Sequence, residues 1–226
     1  MWLFTFDYVI SDLHLSFVIF DTDGTLVDDL DLIVAAYNYA VSEYLGREFG
    51  AEEVLSLFGP PMSKIIAKMV AREFLDSAVD KYHEYYSVHF HEQASTYPGV
   101  HKMLTFLEGA GCQLGVLTGA GRKAATITLE KSGLSQFFDA IVTGDDVTQP
   151  KPDPEGLGLA INLMKASPER TICIGDSSLD IQMSKRCGIR SGAALWGSRN
   201  TEELRALGPD FVFNRPSDVE EALVSS

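Results

Sequence analysis

Four apolar residues, Phe17-Val18-Ile19-Phe20, run straight into Asp21-Thr22-Asp23-Gly24-Thr25-Leu26. A short aromatic and β-branched run bounded by a turn signal reads as a buried strand. Asp21 and Asp23 would share a direction only if the chain stayed extended, and Gly24 signals a sharp turn instead. Two carboxylates crowded at the mouth of a sheet repel each other. A cation between them relieves this, and so does a proton held by one of them. Taken alone, such a pair is also compatible with a solvated turn or a helix N-cap. The rest of the chain decides.

From Tyr97-Pro98-Gly99 onward, helices and strands alternate. A helix over 101–107 precedes a strand over 113–117, and a helix over 122–132 is closed by Gly133. A strand over 140–142, a helix over 154–165, a strand over 171–174 and a helix over 179–187 follow. A strand near 192–195 and a final helix, strand and helix complete the chain. This texture implies a parallel sheet covered on both faces. The first strand belongs to that sheet by composition, yet 28–96 separates it from the others. That stretch reads as helices only, beginning with one over 28–45 that Asp28 or Asp29 caps and Gly46 stops. The expected fold is therefore α/β, a Rossmann-like three-layer core with an inserted all-helical cap. The divisions are an N-terminal extension at 1–16, a core at 17–27 and 97–226, and the cap at 28–96, emerging where ligands bind in such sheets. The extension is apolar but has no basic start and carries Asp7, Asp12 and His14, which makes it a poor signal peptide and a poor membrane span.

With 18 basic against 32 acidic residues, a net charge of −14, nucleic acid and membrane are both poor partners. An anionic substrate must then be held by local devices. Cys112, Cys173 and Cys187 are odd in number and uneven in spacing, so a disulfide framework is not expected and a cytoplasmic setting is.

The carboxyl ends of the strands share one rim of a parallel sheet. Strand one brings Asp21 and Asp23, and the next brings Thr118-Gly119 at a helix start. The third leads into Lys151-Pro152, and the fourth ends in Gly175-Asp176 with Asp180 one helical turn on. Each alone is weak. Together they describe a magnesium and phosphate site: carboxylates for a small hard cation, a helix N-terminus for phosphate oxygens, and one aimed lysine. Asp21 and Asp176 would supply carboxylates and Asp23 its backbone carbonyl.

These four motifs, in this order, resemble those of the haloacid dehalogenase superfamily, over nearly the whole chain from Phe17. The helical stretch, Phe58-Gly59-Pro60-Pro61 and Tyr97-Pro98-Gly99-Val100 are similar to its phosphoglycolate phosphatase and β-phosphoglucomutase branch. The resemblance implies a magnesium-dependent phosphatase acting on a small phosphorylated metabolite, as a monomer or homodimer. Asp21 would be the nucleophile of an aspartyl-phosphate mechanism, and Asp23 the acid and then the base. Thr118, Gly119 and Lys151 would hold the phosphoryl group, Asp176 would complete the metal site, and Asp180 would orient the metal's waters or Lys151. A sugar-phosphate mutase, a pyrophosphatase and a phosphonate hydrolase share this core. A binding or regulatory module of the same fold is the alternative of another class.

Other polar residues carry less. Arg122 reads as an exposed first-turn residue, and Lys64 and Arg72 as cap residues within possible reach of substrate. His89 and His91, two apart, diverge on a helix and make a poor metal pair. Tyr82, Tyr85 and Tyr86 read as cap core.

Overall fold

The structure is a computed structural model, which describes residues 15–224. Most of the expected extension thus lies outside the described residues. Its last two residues are tied to the core: Leu15 is buried, and Ser16 donates its N–H to Arg170 and accepts from Gln113.

β1 (Phe17–Phe20) lies at the centre of a six-stranded parallel sheet. It is flanked on one side by β4 (Gln113–Leu117) and then β5 (Ala140–Val142). On its other side lie β6 (Thr171–Gly175), β7 (Arg190–Ala194) and β8 (Phe211–Phe213). Side chains alternate across a strand, and the core follows that rule. Val18 and Phe20 enter one apolar cluster with Ile172 and Ile174, while Ile19 and Cys173 enter the cluster on the opposite face. Val18, Ile19 and Phe20 are wholly buried, each contributing about 2 kcal/mol of hydrophobic stabilisation. The sheet is therefore an α/β sandwich, with helices α5 (Val100–Gly109) and α6 (Arg122–Lys131) on the first face. Helices α7 (Glu155–Met164) and α8 (Ser178–Cys187) lie on the second. Short α9 (Thr201–Ala206) and α10 (Pro216–Val224) close the chain around β8.

Between β1 and β4 lie α1 (Leu30–Leu45), α2 (Ala51–Leu55), α3 (Met62–Met69) and α4 (Leu75–Gln93). The sequence pattern showed helices alone here, and the structure adds a device at their base. Val27–Asp28 (β2) and Ser95–Thr96 (β3) pair antiparallel, so the helical block leaves and rejoins the sheet through one two-residue ribbon. Strands this short produce no readable alternation. Gly46 ends α1 in the left-handed conformation, its N–H bonded to Ser42. The start of α1 departs from expectation. Asp29 occupies the N-cap position but makes no side-chain cap bond, because its carboxylate turns inward to accept a hydrogen bond from the Tyr86 hydroxyl.

Candidate active site

The carboxyl ends of β1, β4 and β6 converge because the strands are neighbours in register, Phe20 standing beside both Val116 and Ile174. Asp21 follows β1 directly, its N–H bonded to the Ile174 carbonyl and its Oδ1 accepting the Thr22 N–H at 2.8 Å. Gly24 then turns the chain at φ +80°. A Cβ there would also lie 2.4 Å from an oxygen of Asp176, so the glycine clears space for a second carboxylate.

Lys151 is the cation of the rim. Its Nζ is 3.0 Å from Asp21 and 2.7 Å from Asp180, and its side chain is 8% exposed. Asp180 is fully buried on α8, where its other oxygen accepts the Ser177 hydroxyl at 2.5 Å in a capping box. Gly175 makes room for it, since a Cβ would fall 2.2 Å from the Asp180 carboxyl carbon. Asp176 accepts the Thr25 hydroxyl at 2.7 Å. Thr118, 2% exposed, shares a hydrogen bond with the Thr22 hydroxyl at 2.8 Å and accepts from the Ala120 N–H at 3.1 Å.

Five carboxyl groups crowd here against one lysine. Burial pushes Asp21 up to about 7, the Lys151 charge opposing and those of Asp180 and Asp23 adding to the rise. Burial likewise lifts Asp23, against hydrogen bonds from Asp29 and Thr22. Asp176 is raised well above the usual carboxylate range by burial, then by the charges of Asp21 and Asp180. Burial alone would push Lys151 down, but Asp180 and Asp21 outweigh it and leave its pKa raised. A site so short of positive charge favours a further cation. Oxygens of Asp21, Asp176 and Asp180 lie within 4.8 Å of one another, a donor set of the hard-oxygen kind that magnesium takes. The Asp23 side chain is not part of this group, and both Asp180 oxygens already have partners, Lys151 and Ser177.

A cavity of about 340 Å³ opens over the rim. Asp21, Asp23, Gly119, Lys151 and Asp176 line its floor, while Leu30, Ile33, Leu55, Phe58, Met62 and Tyr82 of the helical block line it with apolar surface. Several side chains singled out in the sequence lie elsewhere. Lys64 donates to the Gly144 carbonyl at 3.2 Å, joining α3 to the core. Arg122 pairs with Asp146 at 2.5 Å on the surface, and Arg72 sits in an exposed turn. His89 pairs with Glu92, while His91 lies against Phe90. Tyr85 stacks between Tyr39 and His89, and Tyr82 and Tyr86 are buried.

The matching family model is the haloacid dehalogenase-like hydrolase, over residues 18–194. The chain belongs to that family. Among curated relatives, the pyrophosphatase PpaX of Bacillus velezensis is 32% identical over 209 residues, 92% of this chain and 96% of that one. A predicted phosphoglycolate phosphatase from Haemophilus somnus superimposes with a TM-score of 0.80 at 21% identity, over 92% of this chain and 98% of its own. A structure from Thermotoga maritima, provisionally named a β-phosphoglucomutase, gives 0.72 at 25%, over 93% and 99%. In shape, this hydrolase is thus similar to structures named as a phosphoglycolate phosphatase and a β-phosphoglucomutase.

Some of the site was invisible in the sequence. Asp29 and Tyr86 join the buried polar cluster behind Asp23, yet they come from positions read as a helix cap and as apolar packing. Trp196 donates Nε1 to the Thr25 carbonyl at 2.8 Å, and a Cβ on Gly197 would fall 1.7 Å from the Gly24 carbonyl oxygen. A tryptophan-glycine pair just past a strand end is the one signal that could have flagged this support.

Proposed function

We propose that this hydrolase is a magnesium-dependent phosphatase that cleaves a small phosphorylated metabolite through an aspartyl-phosphate on Asp21. One observation carries the reading: Asp21 stands at the strand end with Oδ2 against Lys151 and shares the cavity floor with Asp23, Gly119 and Asp176. Asp21 attacks phosphorus, the bond to the leaving oxygen breaks, and Asp23 gives that oxygen its proton. Asp23 then takes a proton from water, which attacks the same phosphorus and frees Asp21. Dividing the displacement in two is the gain from a covalent intermediate. Asp23 must begin protonated and Asp21 ionised. Burial favours the protonated form of both acids, and the Lys151 charge opposes it more directly at Asp21, which it contacts. The Thr118 hydroxyl and the Gly119 N–H hold the phosphoryl oxygens. Asp21 and Asp176, with the Asp23 backbone carbonyl, would hold magnesium, which neutralises charge on the transferring group. Asp180 positions Lys151. The helical block over 28–96 acts as the cap, keeping water from the reacting group and contacting the leaving group.

The PpaX relative places pyrophosphate beside phosphoglycolate among the substrates to try first. Phosphate release from a panel of monoesters, pyrophosphate, sugar phosphates and phosphonates, with magnesium and then with EDTA, tests the reading. Release that requires both the metal and Asp21 supports it. No release from a folded protein overturns it.

A further inference from the structure

The cavity holds a second cation that the chemistry above does not use. Arg199 lines it, and the Arg199 side chain makes no hydrogen bond or ion pair among the described residues. Lys151, the other lining cation, is paired with Asp21 and Asp180. Glu203 and Asp176 also line the cavity, and neither pairs with Arg199. Glu203 accepts from Asn200 Nδ2 at 3.0 Å, and Asp176 accepts from Thr25.

The segment carrying Arg199 is held in place. Trp196 and Gly197 press it against the Gly24–Thr25 turn, directly after the proposed acid Asp23. The guanidinium therefore hangs from a backbone registered to the reacting carboxylates. The helical block offers the cavity only apolar side chains and Tyr82, so a charged group on the substrate finds its complement on the loop after β7 or nowhere. A planar fork of donors suits a carboxylate or a phosphate equally.

We infer that Arg199 holds a second anionic group, carboxylate or phosphate, on the leaving-group side of the substrate, and so selects phosphate compounds that carry such a second group over esters whose leaving group bears none. This rests on the phosphatase reading. It makes Arg199 a specificity-determining residue rather than part of the phosphoryl-transfer machinery.

The test compares wild type, Arg199→Gln and Arg199→Lys on pyrophosphate, phosphoglycolate and phenyl phosphate. In Arg199→Gln, kcat/KM for the two substrates with a second anionic group should fall about tenfold to a hundredfold further than for phenyl phosphate, chiefly through KM, because a charge-assisted hydrogen bond is lost. Arg199→Lys should recover part of that loss. Whichever of pyrophosphate and phosphoglycolate shows the larger loss identifies the anion. Equal losses on all three substrates, or none, overturn the inference while leaving the phosphatase reading intact. If wild type hydrolyses nothing, that reading fails alone, and calorimetry still decides the role of Arg199. Magnesium-loaded wild type should bind methylenediphosphonate about tenfold more tightly than Arg199→Gln does, with a much smaller difference for inorganic phosphate. No difference, or no binding by wild type, overturns it.

Discussion

The floor and the helical wall of the cavity are built on opposite principles. On the floor, polar side chains hold one another: Lys151 bridges Asp21 and Asp180, Ser177 caps Asp180, Thr25 holds Asp176 and Thr22 meets Thr118. The wall contributed by α1, α2, α3 and α4 is apolar surface with no charge on it. A directional network tolerates no change of shape, whereas apolar contact is tolerant of it. Under the proposed function, the part common to every phosphate substrate would be held rigidly, and the part that varies would meet a surface that can be remodelled.

The strongest way to break this contrast is at the floor. Asp21→Asn should lower phosphate release by at least about a thousandfold, as loss of a nucleophile does, with circular dichroism unchanged. Residual turnover near wild type would mean that the floor is not where the chemistry happens. A second test strikes shape alone. Gly175→Ala forces a methyl against Asp180 and should cost roughly 3 kcal/mol in urea unfolding. Gly158→Ala on α7, with open space around it, should instead be neutral or stabilising by up to about 1 kcal/mol.

The third test uses charge. The folded-state pKa of Asp21, about 7 against an ordinary 3.8, means that the metal-free fold keeps a proton the unfolded chain has released. That contribution to stability is present below the lower value and is lost as pH rises through about 7. Magnesium needs the carboxylate, so its stabilisation must grow over the same window. Thermal unfolding should show a gain from magnesium of roughly 5 °C at about pH 8, and clearly less at about pH 5.5. A gain independent of pH would remove Asp21 from the metal's ligands. The smallest effect belongs to the wall. Phe58→Ala should change KM by about threefold to tenfold, differently for different substrates, and leave stability nearly unaltered. A uniform fall in kcat would show that the wall also shapes the floor.

How much of this could be read from the chain follows the same division. The floor was legible because each of its parts sits at the end of an apolar run, and parallel neighbours bring such ends together. Asp21, Thr118, Lys151 and Asp176 were placed at one rim by strand order alone. Asp29 was not legible, because an acid ahead of a helix looks like a cap. Only the fold, which sets Tyr86 of α4 against it, shows the carboxylate turned the other way. Arg199 lay in a loop with no periodicity, and its position depends on a glycine seated against a carbonyl more than 170 residues earlier in the chain. Lys64 looked like a substrate contact because its charge was readable, whereas its partner, the carbonyl of Gly144, carries no sequence signal.

The ribbon of β2 and β3 bears on how the molecule reaches its native state. β1 must find β4 across a stretch of roughly a hundred residues, and long loops make such pairings entropically slow. Val27 and Thr96 are adjacent once the ribbon forms, so everything between them drops out of the loop that remains to be closed. The effective loop shrinks to about thirty residues, which reduces the closure cost by about 1 kcal/mol on a logarithmic dependence. A helical block that assembles early would then guide the sheet together as well as roof it, shortening the search for the strand that carries Asp21.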